Sequence, residues 1–248
     1  MRVIHVCGPS GSGKTTLIRS LVPLLSGTGQ VAVVKHLGHH RFELPAGKDT
    51  TLFLDAGAAA SVGIDSGRAV IVRNDASLRQ VLDVLSLSGT RFALVEGYKS
   101  LPLPKVITGP FPGAENVVLE NPRPGDVLDH LGMFPEYFSP EGLAREVWAE
   151  GHVVATGSFP TRASLLPPAG RKEFYDRFFP LIGEMQEVRP GAAAVRTRVH
   201  LHQGLYFGGE DVVLFAVGCP SAGMVPAAVS RLSARIDAAV RDALAGAG

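Results

Sequence analysis

The chain has few of the features that define several large classes of protein. Its 248 residues include two cysteines, Cys7 and Cys219, and one tryptophan. Two cysteines cannot build a disulfide framework, which excludes a disulfide-stapled secreted domain and predicts a reducing compartment. No apolar run approaches the ~20 residues needed to span a bilayer, and the short, polar N-terminus does not resemble a signal peptide. We therefore expect a cytoplasmic protein without a membrane partner.

Neither sign of charge dominates the chain. Lysine and arginine together number 24 against 23 for aspartate and glutamate, so the formal net charge is +1. This balance gives no electrostatic reason to expect a nucleic-acid partner. With 46% hydrophobic and 19% charged residues, the chain is instead typical of a folded protein. Its length corresponds to one large domain or two modest ones.

The first half alternates short apolar runs with helical patterns. The predicted strands are Val3–Cys7, Val31–Val34, Ala69–Val72 and Arg91–Glu96, and the predicted helices are Thr15–Leu25 and one that begins at a cap on Asp75 or Ser77. The two β-branched runs, Val31–Val34 and Ala69–Val72, are expected to be fully buried. Strands that alternate with helices predict an α/β domain with a mostly parallel sheet.

The second half is patterned differently. A proline-rich stretch, residues 101–140, is predicted to be the tail of the first domain and a linker, because each proline removes a backbone donor. The predicted elements beyond it are strands at Val153–Thr156, Ala194–Leu201 and Val212–Val217, and helices at Lys172–Met185 and Met224–Leu244. We therefore predict two domains, residues 1–131 and residues 132–248, the second being a smaller α+β domain.

A glycine-rich segment between the first strand and the first helix carries the clearest chemistry. Gly8–Thr15 reads Gly-Pro-Ser-Gly-Ser-Gly-Lys-Thr and fits the phosphate-loop pattern G-x-x-x-x-G-K-[ST] without a mismatch. Glycines let such a loop aim backbone N–H groups at an anion, beside the positive end of the helix dipole. Lys14 is expected to reach the β- and γ-phosphates as a catalytic residue, and Thr15 to bind Mg²⁺. The predicted nucleotide-binding residues of the loop are Gly8, Ser10, Gly11, Ser12, Gly13, Lys14, Thr15 and Thr16.

Other charged residues lie where strands end or helices begin. Glu96 follows an apolar strand, and we predict it to be catalytic and, with Thr15, a Mg²⁺ ligand, because a carboxylate at a second strand end usually holds this ion. Lys48 and Asp49 lie at the start of a predicted helix, where they could contact a phosphate or cap the helix. The sequence leaves both interpretations open. The further residues assigned to nucleotide binding are Lys35, His36, Lys48, Asp49 and Gly97.

Together these segments resemble the molybdopterin-guanine dinucleotide biosynthesis adaptor family, MobB, over roughly residues 1–131. The resembling pieces are the phosphate loop, Lys35-His36 with His39-His40, Gly47-Lys48-Asp49-Thr50, Ala56-Gly57-Ala58, and Val95-Glu96-Gly97-Tyr98-Lys99 followed by Leu103-Pro104-Lys105. The resemblance implies a P-loop protein that binds GTP with Mg²⁺, hydrolyses it slowly and assists the attachment of GMP to molybdopterin. The resemblance also implies that the partner of this protein is molybdopterin or the nucleotidyltransferase that attaches GMP to it. No Asn-Lys-x-Asp guanine-reading motif is present, so the preference for GTP rests on the resemblance alone.

The remainder of the chain resembles a divergent large subunit of molybdopterin synthase, MoaE. The similar pieces are Gly151-His152-Val153-Val154-Ala155, Gly204, Gly208-Gly209-Glu210-Asp211-Val212-Val213 and Ala216-Val217-Gly218-Cys219-Pro220. Where that family has a His-Arg pair this chain reads Ser221-Ala222, and Lys172 is its only lysine after Lys105. Because pterin phosphates and a thiocarboxylate need fixed cations, we expect a non-catalytic docking domain. The apolar C-terminal helix and a Phe-rich segment also suggest a homodimer.

Two other functions are compatible with the phosphate loop. A small-molecule kinase would need an acceptor pocket and arginines on a closing lid. The arginines available for that are Arg41, Arg68 and Arg73. A metallochaperone-like GTPase would use His36, His39 and His40, whose spacing suits Zn²⁺ although no cysteine lies nearby.

Overall fold

A computed structural model describes residues 1–38, 48–74, 76–186, 195–206 and 210–247. Its strands are β1 (Arg2–Cys7), β2 (Val31–Lys35), β3 (Ala60–Ile64), β4 (Ala69–Arg73), β5 (Phe92–Glu96), β6 (Lys105–Ile107), β7 (Val117–Glu120), β8 (Val153–Pro160), β9 (Arg196–Tyr206) and β10 (Glu210–Cys219). Its helices are α1 (Lys14–Ser26), α2 (Asp49–Asp55), α3 (Leu78–Leu87), α4 (Pro124–Asp129), α5 (Pro140–Val147), α6 (Pro168–Met185) and α7 (Val225–Ala245). Among the described residues, no helix is long and apolar enough to cross a bilayer.

Five strands form the parallel sheet that the alternating pattern predicts. Their order is β2-β5-β1-β6-β7, and each neighbouring pair is parallel. The carboxyl ends of all five strands therefore lie along one edge, where ligands bind in sheets of this kind. On one face, Ile4, Val6 and Leu94 form a buried cluster with Leu17 and Leu21, which share one face of α1 because they are four residues apart.

A two-stranded antiparallel hairpin, β3–β4, forms a separate sheet. The prediction that Ala69–Val72 is a fully buried strand is wrong, because it forms β4, in which Val70 and Ile71 are mostly exposed. A short apolar run predicts a strand, but it carries no information about whether another layer covers that strand. β2 is also less buried than predicted: it is an edge strand, and half of Val33 is exposed.

Helix α3 begins at a cap that the sequence predicts. Ser77 Oγ accepts a hydrogen bond from the Gln80 backbone N–H at 3.3 Å, and Gln80 Oε1 accepts one from the Ser77 N–H at 3.0 Å. These reciprocal bonds form a complete capping box, which satisfies two backbone donors that the helix leaves free. Asp75, the alternative cap, lies outside the described residues.

The proline-rich stretch contributes to the parallel sheet as well as connecting the two halves. It contains β6 and β7, which complete one side of the sheet, and both strands are short, as the prolines lead one to expect. Beyond Leu131, the Pro135 carbonyl accepts a hydrogen bond from the Val3 N–H at 2.9 Å, so the chain continues beside β1. The domain boundary at Leu131 stays a prediction.

The second half forms a three-stranded antiparallel sheet in the order β8-β10-β9. Helices α6 and α7 pack on one face of it, and the buried cluster there includes Phe174, Phe178, Val213, Phe215, Ile236 and Val240. The α/β class with a smaller α+β region is thereby confirmed. The apolar faces of α6 and α7, which suggested a homodimer, are buried within the chain, and the dimer stays a prediction.

The antiparallel sheet and the parallel sheet share a second buried cluster, to which α5 also contributes. Its members include Val3, Ala93 and Val95 of the parallel sheet, Tyr137, Leu143 and Val147 on and before α5, and Val212, Leu214 and Ala216 of β10. Helices usually cover both faces of a parallel sheet. Here the second half of the chain supplies much of the cover for one face.

Candidate nucleotide-binding site

The phosphate loop joins the end of β1 to the start of α1 at the carboxyl edge of the sheet. Gly13 precedes the helix with a φ of 92°. Gly8 and Gly11 have φ values of 152° and 73°, conformations that glycine adopts at little cost. The loop can therefore curve around the first turn of α1, where free backbone N–H groups favour an anion. A cavity of about 210 Å³ is lined by residues 11–16.

Neighbouring atoms leave no room for a side chain at Gly8, and its backbone conformation also favours glycine. A Cβ atom placed there would lie 2.2 Å from the Thr108 carbonyl oxygen. Thr108 follows β6, and its Oγ1 is 2.8 Å from Ser12 Oγ. The next residue, Gly109, donates its N–H to Asn121 Oδ1 at 2.6 Å. The loops after β6 and β7 thus pack against each other and against the phosphate loop.

Replacing Gly8 with alanine is expected to destabilise the protein by about 2–6 kcal/mol, because backbone strain and overpacking each cost ~1–3 kcal/mol. Denaturation in urea measures the change. Gly27→Ala is the matched control: Gly27 follows α1 with a φ of −64°, and the nearest atom to a new Cβ would be 3.6 Å away. Its stability should change by less than about 1 kcal/mol. Equal urea midpoints for the two variants would contradict the close contact with Thr108.

The polar side chains of the loop include a hydrogen-bonded lysine and three exposed hydroxyls. Lys14 occupies the first helical position, and its Nζ donates to the Pro9 carbonyl oxygen at 2.6 Å across the loop. Ser10, Thr15 and Thr16 are exposed. A cation and several hydroxyls are therefore accessible from solvent at the place where the backbone favours an anion.

Glu96 ends β5, the neighbour of β1 in the sheet. The strand registers place it opposite Val6 on one side and Lys35 on the other. Its side chain is 10% exposed, and Oε1 lies 3.6 Å from Nζ of Lys35, whose side chain is 54% exposed. This carboxylate and the Thr15 hydroxyl are hard oxygen donors of the kind that Mg²⁺ binds together with phosphate oxygens and water. The residues present therefore fit this ion.

The residues that follow β2 and β5 meet at the same edge. The Glu96 carbonyl accepts a hydrogen bond from the His36 N–H at 2.9 Å, and the His36 ring stacks on Tyr98 with centroids 4.1 Å apart. A Cβ atom at Gly97 would lie 2.9 Å from His36 Cβ. Four predicted site residues, Lys35, His36, Glu96 and Gly97, are thus in one cluster.

The remaining predicted residues lie outside this cluster or outside the described residues, and the roles of all the predicted site residues stay predictions. Lys48 precedes α2 without a side-chain capping bond, and Asp49 lies in its first turn; both are exposed, and their roles in nucleotide binding stay predictions. Arg41, His39 and His40 lie outside the described residues. Within the ranges that the structure does describe, no three His, Cys, Asp or Glu side chains are grouped to hold a metal ion.

This half of the chain is similar to a known protein family. Residues 3–111 match the family described as molybdopterin guanine dinucleotide synthesis protein B, MobB. The chain is 32% identical over 128 residues to the molybdopterin-guanine dinucleotide biosynthesis adapter protein of Haemophilus influenzae, across 47% of this chain and 71% of that protein. The chain belongs to the MobB family. A putative adapter protein of Methanocaldococcus jannaschii is 34% identical over 144 residues, across 56% of each chain.

Solved structures of MobB proteins also match. The crystal structure of Bacillus subtilis MobB has a TM-score of 0.42 and 20% identity, covering 55% of this chain and 100% of that one. The MobB homologue from Bacillus stearothermophilus has a TM-score of 0.38 and 24% identity, covering 53% and 94%. The family match ends at residue 111, so the MobB region includes the phosphate loop, Glu96 and β6.

Sequence reasoning did not single out three residues that the structure brings to this edge of the MobB region. His5 and Cys7 of β1 both approach the Gly97 carbonyl oxygen. A signal was available, because these are polar residues at alternating positions of an otherwise apolar strand. Thr108 offers no such signal, since its partner Ser12 is 96 residues away in the chain.

Proposed function

We propose that this MobB-family chain is a GTP-binding adapter in molybdopterin guanine dinucleotide biosynthesis and that it hydrolyses GTP slowly. The observation that carries the proposal is the phosphate loop, in which three glycines with positive φ lead into α1 beside the strand end that holds Glu96. The names of the related adapter proteins support the pathway.

In this proposal the phosphates bind to the backbone N–H groups of the loop and to Lys14, with Thr16 near the α-phosphate. Lys14 acts by stabilising charge on the transferring phosphoryl group. Glu96 and Thr15 would hold Mg²⁺, and the ion would supply positive charge that offsets the negative charge of the phosphates. No arginine finger, which is worth roughly 10³–10⁵ in rate, is identifiable in the sequence. We therefore expect slow turnover.

We propose further that the second half is a MoaE-like docking domain without catalytic activity. Ser221 and Ala222 follow β10 and are exposed, at the place where the MoaE resemblance implies a His-Arg pair. Lys172 lies on α6 and pairs with Asp176 at 2.6 Å, exposed to solvent. Neither position offers the fixed cation that pterin phosphates or a thiocarboxylate need. The docked partner would be molybdopterin, the nucleotidyltransferase or a second copy of the chain.

Calorimetric titration of the purified chain with GTP, ATP and molybdopterin, each with and without Mg²⁺, tests these assignments. We expect GTP to bind at one site per chain, more tightly with Mg²⁺ and more tightly than ATP. The absence of heat with both nucleotides would refute the proposal. Turnover near the ~1–100 s⁻¹ of kinases, with phosphate transferred to a small acceptor, would favour a kinase instead. Formation of molybdopterin from the sulfur-free precursor and a thiocarboxylated small subunit would refute the docking role.

A further inference from the structure

Strand β1 carries two polar side chains on the face opposite α1. Side chains alternate along a strand, so Val3, His5 and Cys7 share a face; all three are buried. Val3 packs in the cluster around α5. His5 Nε2 and Cys7 Sγ instead lie 2.6 Å and 3.2 Å from the Gly97 carbonyl oxygen, and 3.1 Å from each other. Two buried side chains therefore converge on one carbonyl group of the turn after β5.

Both side chains act as hydrogen-bond donors at neutral pH. A carbonyl oxygen only accepts, so the hydrogen of the His5 ring lies on Nε2. Burial lowers the pKa of His5 to about 4, with Lys105 adding to the decrease and the Gly97 carbonyl opposing it, so the ring is neutral. Burial also raises the pKa of the Cys7 thiol, which keeps its hydrogen.

The turn that they contact has an uncommon backbone conformation. Gly97 and Tyr98 have consecutive positive φ values, 98° and 48°. A non-glycine residue persists in this region only where its surroundings hold it there. The Gly97 N–H donates to the Val6 carbonyl at 3.1 Å, and the His36 ring packs on Tyr98 from the side away from β1. The turn is thus fixed by the sheet on one side and by His36 on the other.

A third buried side chain, that of Lys105, holds the other end of the segment that begins at Gly97. The Lys105 ammonium group donates to the Leu101 carbonyl oxygen at 2.9 Å, and the residue is buried. Lys105 lies beside His5 in the register of β1 and β6. Residues 97–101 are therefore anchored through backbone carbonyls at both ends.

We infer that His5 and Cys7 are positioning residues for the Mg²⁺–nucleotide site, acting through the Gly97 carbonyl on the turn that directly follows Glu96. This inference rests on the proposed function and deepens it. The two bonds hold the turn against β1, which keeps the Glu96 carboxylate at the edge where the phosphate loop and Thr15 lie. Neither residue needs to touch the nucleotide.

Three variants separate this role from simple core packing. His5→Leu removes the donor at similar volume, and His5→Gln offers an amide N–H in place of Nε2–H. Val3→Ala is the matched control, because Val3 is buried on the same face of the same strand. Calorimetry of GTP binding at a series of Mg²⁺ concentrations is the measurement. Hydrogen exchange of residues 97–101 without ligand is a second one.

We expect His5→Leu to raise the Mg²⁺ concentration for half-maximal GTP binding by about tenfold, the lower end of what loss of a group that orients a metal ligand costs. GTP affinity in EDTA should be unchanged, and exchange at residues 97–101 should be faster. His5→Gln should restore most of the Mg²⁺ dependence. Val3→Ala should lower the unfolding temperature and leave the Mg²⁺ dependence as it is.

An unchanged Mg²⁺ dependence in a folded His5→Leu chain that binds GTP overturns the inference and leaves the proposed function intact. An equal shift in Val3→Ala also overturns it, since the effect would then come from packing. If His5→Leu does not fold, Cys7→Ala removes the second donor with a smaller change, and we expect a shift in the same direction. No shift there overturns the inference. A wild-type chain that binds no nucleotide refutes the proposed function and the inference together.

Discussion

Replacing Lys14 with alanine is expected to weaken GTP binding by about 2–5 kcal/mol, which is roughly 30- to 5,000-fold in Kd. The substitution leaves the phosphate charge without its cation at the start of α1. The side chain belongs to no buried apolar cluster, and its bond to the Pro9 carbonyl contributes about 1 kcal/mol to folding. Stability should therefore change little. Calorimetry with GTP and Mg²⁺, with thermal unfolding of the same samples, measures both effects.

Lys172→Ala is the control for loss of a helical lysine. Lys172 is 77% exposed and pairs with Asp176 one turn away on α6, an interaction worth ~0.2–0.5 kcal/mol. Its GTP affinity should equal that of the wild type. If Lys14→Ala also binds GTP as the wild type does, the nucleotide binds elsewhere on the chain.

A chain that ends at Leu131 is expected to lose cooperative unfolding. The truncation removes α5 and β10 and so exposes Val3 and Val95 on the parallel sheet. It also removes Pro135, whose carbonyl accepts from the Val3 N–H. Burying one such side chain contributes about 1.5–3 kcal/mol, so exposing several approaches the whole stability of a domain, about 5–15 kcal/mol. Circular dichroism during heating and gel filtration should show a broad transition and association.

A chain that ends at residue 150 is the matched comparison, because it keeps α5. We expect a sharper transition than for the shorter chain, since Tyr137, Leu143 and Val147 of the cluster that contains Val3 and Val95 are kept. The unfolding temperature should still be lower than that of the full chain, because the side of α5 that packs on β10 is exposed. If the chain that ends at Leu131 unfolds cooperatively at the unfolding temperature of the full chain, the shared cluster does not stabilise the parallel sheet. That result would support the domain boundary at Leu131.

The phosphate loop and its flanking elements are predictable because the information is local. β1 begins one residue before the predicted strand, and α1 extends one residue beyond the predicted helix at each end. The position of Glu96 at the end of β5 follows from the same alternation of strands and helices. The roles of these residues in binding nucleotide and Mg²⁺ stay predictions.

Features that depend on distant parts of the chain were not predictable. The bond from His5 to the Gly97 carbonyl spans 92 residues, and the cluster that joins Val3 to Val212 spans most of the chain. An apolar pattern identifies a face that tends to be buried, but not the element that buries it. The same ambiguity explains why the run at Ala69–Val72 forms an exposed hairpin strand.

Helix α5 ends beside the one indole in the chain. Trp148 follows Val147, its side chain is mostly exposed, and its carbonyl accepts a hydrogen bond from Arg196 of β9 at 3.3 Å. Because Trp148 directly follows α5, the emission of this indole comes from the C-terminal end of that helix. The protein therefore contains a native fluorophore whose emission can be followed in solution without an attached dye.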